Sequence, residues 1–176
     1  AGFTHWAKLN NLKQAAKTMN FLTEHGISSY GELESKLNAV SARRDTAHAE
    51  IKRIESRSAE LALVMKHAGT YRQLKPLYDR YRKSNDKEKF LRGHESEIIL
   101  FEAAARELKR LGAVPLPTTE SMKTELANLN AEKERLLAEY KAARTEAQEY
   151  DTVKQNVDAL LTVPKEQEQQ RRHELE

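Results

Sequence analysis

The chain has 176 residues and no cysteine; 39% of it is hydrophobic, 32% charged and only 6% aromatic, with a formal net charge of +3. More than half consists of Ala, Leu, Glu, Lys and Arg, a composition of long helices that excludes an all-β or dinucleotide-binding α/β reading. Six glycines and four prolines leave few places to turn, so the sequence predicts an all-α fold of few, long elements.

A first helix is predicted within residues 4–27. Trp6, Leu9, Leu12, Ala16, Met19 and Leu22 recur at helical spacing, and Gly26 provides the stop. Ser29-Tyr30-Gly31-Glu32 then reads as a capping box opening a second helix over residues 29–69. From Leu33 its apolar positions alternate four and three apart through Leu37, Val40, Ala47, Ile51, Ile54, Leu61, Met65 and Ala68, interrupted only by Arg44 and Ser58. A seam that narrow, with charged flanks, belongs to a coiled coil. The phase fails at Gly69, and Pro76 is expected to break or kink the chain. Residues 70–112 therefore read as a small helical tip, interrupted near Ser84-Asn85-Asp86 and ended by Gly112, with Leu91, Ile98, Leu100, Phe101, Ala104 and Leu108 as an apolar face.

Pro115 and Pro117 stiffen the next loop, and Thr118 or Thr119 is a natural N-cap. A second seam over residues 118–163 runs from Met122 through Leu126, Leu129, Leu136, Tyr140, Ala143, Ala147, Tyr150 and Val157 to Leu161, broken only by Lys133 and Lys154. Pro164 is expected to end it, leaving 164–176 as a disordered tail. Ala1-Gly2 and Leu175-Glu176 read as cloning remnants, which predicts a fragment of a longer protein.

Seams of nearly equal length predict an elongated antiparallel coiled-coil hairpin with the helical tip at one end and the N-terminal helix packed at the other. Arg44, Ser58, Lys133 and Lys154 then act as register devices, or snorkel to the edge, rather than as ligands. A register placing Ser58 opposite Lys133 and Arg44 opposite Ala147 gives the cations room; another, bringing Ile51 to Ala143, also aligns the seams.

The expected chemistry is sparse. There is no Gly-rich phosphate loop, no nucleophile elbow and no His-Glu-x-x-His; His94-Glu95-Ser96-Glu97 comes nearest and is better read as solvated or capping. Catalysis, a metal, a cofactor and a small-molecule substrate are therefore not expected. No apolar run approaches the roughly 18 residues needed to cross a bilayer, which predicts a soluble chain without membrane insertion.

Charge is clustered instead. Residues 70–94 carry Arg72, Lys75, Arg80, Arg82, Lys83, Lys87, Lys89 and Arg92 against Asp79, Asp86 and Glu88, while the returning helix is acidic. Tyr71, Tyr78 and Tyr81 interleave with these cations, as they do where a surface neutralises phosphates and stacks on bases. Their spacing of seven and three also puts the tyrosines on one helical face, where they can be buried inside the tip, and solvated surface is an equal reading of the cations.

A resemblance narrows the choice. Trp6-Ala7-Lys8, Asn11-Leu12-Lys13, Ala16-Lys17-Thr18, Phe21-Leu22 and Gly26-Ile27, then Tyr71, Lys75, Tyr78, Tyr81, Phe90, His94, Glu95, Ile98 and Leu100, and later Leu111-Gly112, Leu116-Pro117, Glu132-Lys133, Tyr140 and Asn156-Val157-Asp158 together resemble the C-terminal region of conjugative relaxases. These are the mobilisation proteins of integrative conjugative elements from Firmicutes. The resemblance implies a parent that nicks one DNA strand at a transfer origin with a tyrosine nucleophile and a histidine-bound metal, then delivers the strand to a type IV secretion channel. Those catalytic groups belong to a nuclease domain this chain lacks, so none of their roles passes to Tyr71, Tyr78 or Tyr81. What remains is an accessory role in the bacterial cytoplasm, with passage into a recipient cell alongside the parent. That role is either docking to relaxosome or coupling proteins, or binding origin or single-stranded DNA through the basic tip.

Overall fold

A computed structural model describes the backbone of residues 2–173 and the side chains of residues 10–162. Among the described residues the chain is all-α: α1 (Gly2–Glu24), α2 (Tyr30–Lys83), α3 (Lys87–Arg110) and α4 (Thr119–His173), with no strand. The two long helices, α2 and α4, pack against each other. Each contributes to two compact units, one of residues 1–48 and 137–176, the other of residues 49–136.

In the first unit, α1 ends because Gly26 adopts φ 61°, a left-handed conformation that a Cβ disfavours. The turn is closed by Gly26 N–H donating to Thr23 O at 3.1 Å and Ile27 N–H to Leu22 O at 2.8 Å, the paired bonds of a Schellman motif. Ile27 is thereby placed in a core with Leu33, Val40, Ala147, Tyr150 and Val153, flanked by Phe21, Leu22, Leu37 and Val157. Ser29 caps α2, its hydroxyl accepting from Glu32 N–H at 3.2 Å. Glu32 reaches back one residue further than a capping box requires, to Ser28 N–H at 2.7 Å and Ser28 Oγ at 2.9 Å. These bonds hold its carboxyl below the usual range.

The α1 face differs from the one expected. Leu12 and Met19 are 69% and 58% exposed, while Thr18 is buried, its hydroxyl accepting from Asn156 Nδ2 at 3.2 Å. Phe21 meets Tyr150 edge-on at 5.2 Å. Aromatic and hydrogen-bond anchoring on α4 thus sets the rotation of α1, overriding its aliphatic stripe; the side chains of Trp6 and Leu9 lie outside the described residues.

The second unit gathers Leu61, Val64, Ala68, Leu108, Ala113 and Met122 into one core, with Met65, Tyr71, Leu111, Leu116, Leu126 and Leu129 at its margin. The expected interruption falls at Ser84-Asn85-Asp86, where Asp86 caps α3 by accepting from Lys89 N–H at 3.0 Å. Ile98, Phe101, Ala104 and Leu108 form the buried face of α3; Leu100, assigned to that face from sequence, is 54% exposed because it lies off the three-and-four spacing of the others. Gly112, at φ 68°, closes α3 with a second Schellman turn, Ala113 N–H donating to Leu108 O at 2.9 Å. Thr118 caps α4 through Ser121 N–H at 3.1 Å.

Two expected breaks do not occur. α2 continues through Gly69 and Pro76 to Lys83, so no helix boundary separates 69 from 70. Pro76 is exposed, on the side of the helix where solvent can satisfy a carbonyl that proline leaves without a partner. α4 continues through Pro164 to His173, replacing most of the expected disordered tail; Lys, Glu, Gln and Arg beyond Pro164 are strong helix formers. Residues 174–176, the remainder of that tail, lie outside the described residues, as does Ala1, so both expected cloning remnants fall wholly or partly there.

The helices run antiparallel in each unit, in a register other than either expected one. In the first, Tyr30 donates to Asp158 at 2.7 Å, Arg43 pairs with Glu146, and His48 lies 5.6 Å from Tyr140 ring to ring. In the second, Lys133 meets Glu55 at 3.0 Å, about one turn from the expected Ser58. The expected register gave the cations room but no partner; this one supplies carboxylates.

Candidate functional site

The cations singled out by sequence all belong to the second unit, where they divide into engaged and unengaged groups. Arg72 ties α2 to the loop before α4, donating to Thr119 Oγ1 at 2.8 Å and to Pro117 O. Lys75 pairs with Asp79 at 3.1 Å, and Arg80 lies 5.8 Å from the Phe90 ring centroid. Arg82, Lys83, Lys87, Lys89 and Arg92 are exposed and make no ion pair among the described residues. Five cations without an ion pair among the described residues thus flank one tight α2–α3 connection, which also carries Asp86 and Glu88. Arg80, Arg82 and Lys83 also occupy the last turn of α2, where positive charge is favoured by the helix dipole.

The tyrosines are half-buried and occupied with one another's neighbours. Tyr71 and Tyr78 both stack on Phe101, at 4.8 and 4.2 Å between centroids, and Tyr81 lies 5.9 Å from Tyr78 and 6.1 Å from Phe90. Burial, with the Glu102 carboxylate nearby, raises the Tyr78 phenol above its ordinary range. The rings build an aromatic column between α2 and α3, the interior placement that their helical spacing offered.

His94 marks a kink within α3, with φ −141° and ψ 27°. Its ring lies 4.8 Å from Phe90, and its Nδ1 is 3.7 Å from Glu97 Oε1, too long for a hydrogen bond. Nδ1 is buried and without a hydrogen-bond partner. Glu97 is held below the usual carboxylate range by its own backbone N–H and the Ser96 hydroxyl, as expected of an N-terminal carboxylate restarting a helix after the kink. Among the described residues no group of three or more His, Cys, Asp or Glu is arranged to hold a metal ion, and no helix is long and apolar enough to cross a membrane.

The polar interruptions of the seams find different surroundings. Arg44 pairs with Asp45 at 2.8 Å, and Ser58 Oγ is buried without a partner. Lys133 meets Glu55 across the interface. Lys154 lies 5.2 Å from the Tyr30 ring centroid and 3.2 Å from Asp158; Tyr30 and Asp158 together hold its ammonium well above the usual lysine range.

Two features escaped sequence reasoning. One is exposed apolar surface: Leu12, Ala16 and Met19 on α1, and Ile99, Leu100 and Ala103 on α3. The other is a cavity of about 470 Å³ beside the α3–α4 loop, lined by Tyr71, Leu108, Gly112, Val114 and Leu116, with Lys109 its only charged residue. The adjacent Ile98-Ile99-Leu100 run carried the only signal for the first, since three consecutive apolar residues cannot all face one side of a helix.

Comparison with protein-family models, with curated proteins and with solved structures finds no match for the chain.

Proposed function

We propose that the chain is a non-catalytic helical module of a conjugative relaxase that docks its parent to relaxosome proteins or to the coupling machinery of type IV secretion during DNA transfer. The observation that carries this reading is the uncovered apolar surface, above all Ile99 and Leu100, 57% and 54% exposed on α3. Contiguous apolar side chains left in water on the outer face of a packed helix mark a surface that a partner covers. The sequence resemblance supplies the kind of partner. The test is isothermal titration of the coupling protein of the same conjugative element with the chain: wild type binds, and Ile99→Ser with Leu100→Ser weakens binding by tenfold or more while leaving the helical circular dichroism unchanged. Equal binding by wild type and variant refutes the role of this surface.

A second reading, contact with origin or single-stranded DNA, is favoured by the five unpaired cations around the α2–α3 connection. With the aromatic column engaged internally, binding through this surface is to phosphate rather than by base stacking, without sequence preference, and weakens steeply with salt.

A further inference from the structure

The cavity beside the α3–α4 loop belongs to the second unit. Its walls are the half-buried ring of Tyr71, the buried side chain of Leu108 and half-buried Leu116. Val114 lines it too and is 67% exposed, so the apolar interior is continuous with an apolar lip open to water. Gly112 contributes bare backbone, and a Cβ built there meets nothing within 4 Å. The volume, about 470 Å³, falls in the range of sites that accept a ligand rather than a single water.

Charge around the cavity is one-sided. Lys109 lines it, no acidic residue does, and Lys109 forms no ion pair among the described residues. The nearest carboxylate along the helix, Glu107, is taken up by Arg110 at 2.8 Å. Arg72, anchored at Pro117 and Thr119, adds a cation to the loop that frames the opening. An apolar chamber beside an uncompensated ammonium complements a bulky apolar side chain carried next to carboxylates.

We infer that this cavity is the anchor site for an acidic peptide segment of a protein partner, one large apolar side chain entering between Tyr71, Leu108 and Leu116 while an adjacent carboxylate pairs with Lys109. The inference rests on the docking reading and assigns it a specific recognition chemistry. The exposed Ile99–Leu100 surface is a separate contact on α3.

The experiment records methyl carbon–proton spectra of the whole chain. It is titrated with an acetylated, amidated Glu-Glu-Phe-Leu-Glu peptide, with its Lys-Lys-Phe-Leu-Lys counterpart and with Glu-Glu-Ser-Ser-Glu. Only the first is expected to shift the methyl signals of Leu108, Val114 and Leu116 at submillimolar concentration. Lys109→Glu should weaken that peptide by roughly three- to tenfold, the effect of one exposed charge pair turned repulsive, and strengthen its basic counterpart. Val114→Asp, at a position 67% exposed, should abolish the shifts at Leu108 and Leu116. Absence of shifts at those methyls with millimolar acidic peptide, or indifference to Lys109→Glu, overturns the inference. The coupling-protein titration separates the two levels. Wild-type-like binding of the Val114→Asp variant to that protein removes the cavity from the interface while the docking reading stands. Failure of the wild-type chain to bind it removes the docking reading, and the peptide titration still decides the cavity.

Discussion

Replacing Phe101 by alanine removes the element on which the second unit's aromatic column is built. Phe101 is 5% exposed, and both Tyr71 and Tyr78 stack on it. Taking roughly 150 Å² of ring surface out of contact, at about 25 cal/mol/Å², costs about 4 kcal/mol, within the usual range of about 3–5 kcal/mol for such truncations. For a chain of this length that corresponds to a fall in melting temperature of roughly 10 °C. Thermal and urea unfolding followed by circular dichroism measure both quantities. A double-mutant cycle with Tyr78→Ala should return a coupling of about 0.5–1.5 kcal/mol, the value of one aromatic pair beyond its buried area. A loss under about 1 kcal/mol for Phe101→Ala, with no coupling to Tyr78, refutes the structural column and returns the tyrosines to the solvent side, where bases stack.

Ser29→Ala should cost α2 about 1 kcal/mol by removing its N-cap, read as a lower urea midpoint. Glu32, Glu55, Glu97, Glu107 and Asp158 all have carboxyls held below their unfolded values. The stability they contribute is therefore fully present above about pH 4.5 and is lost as pH falls through their lower folded values; denaturant melts between pH 6 and pH 2 check the sign. Cysteines replacing Glu55 and Lys133 should crosslink with a short reagent faster than cysteines replacing Ser58 and Lys133, and the reverse order contradicts the register. Substituting Arg82, Lys83 and Lys87 by alanine should flatten the salt dependence of any DNA binding, by about 0.9 in logarithmic slope for each duplex phosphate that is no longer neutralised. Arg72→Ala should lower stability without lowering DNA affinity, since Arg72 is engaged with Pro117 and Thr119.

The all-helical class and most helix ends were legible because their causes are local. Gly26 and Gly112 supply the left-handed residue of a Schellman turn, and Ser29, Asp86 and Thr118 accept from free amides. Pro76 and Pro164 misled because proline's helix penalty is finite and the surrounding helix formers outweigh it. Register was illegible for a different reason. Seven-residue seams align equally well at several offsets, and the choice lies with flanking pairs such as Glu55 with Lys133, which the a/d pattern omits. Likewise the basic cluster could be read as a cluster, but not that Arg72 and Lys75 are spent on Pro117, Thr119 and Asp79. The cavity was wholly hidden, since Tyr71, Leu108 and Leu116 come from three separate segments.

The most direct test of the docking reading measures two affinities of the intact chain side by side at 50 and 200 mM salt: for the element's coupling protein and for single-stranded origin DNA. Docking through apolar surface predicts coupling-protein binding that survives the higher salt and is lost in the Ile99→Ser, Leu100→Ser variant, with any DNA binding weaker and largely abolished at 200 mM. Tight DNA binding alongside no measurable affinity for the coupling protein would contradict it and make the basic α2–α3 connection the working surface.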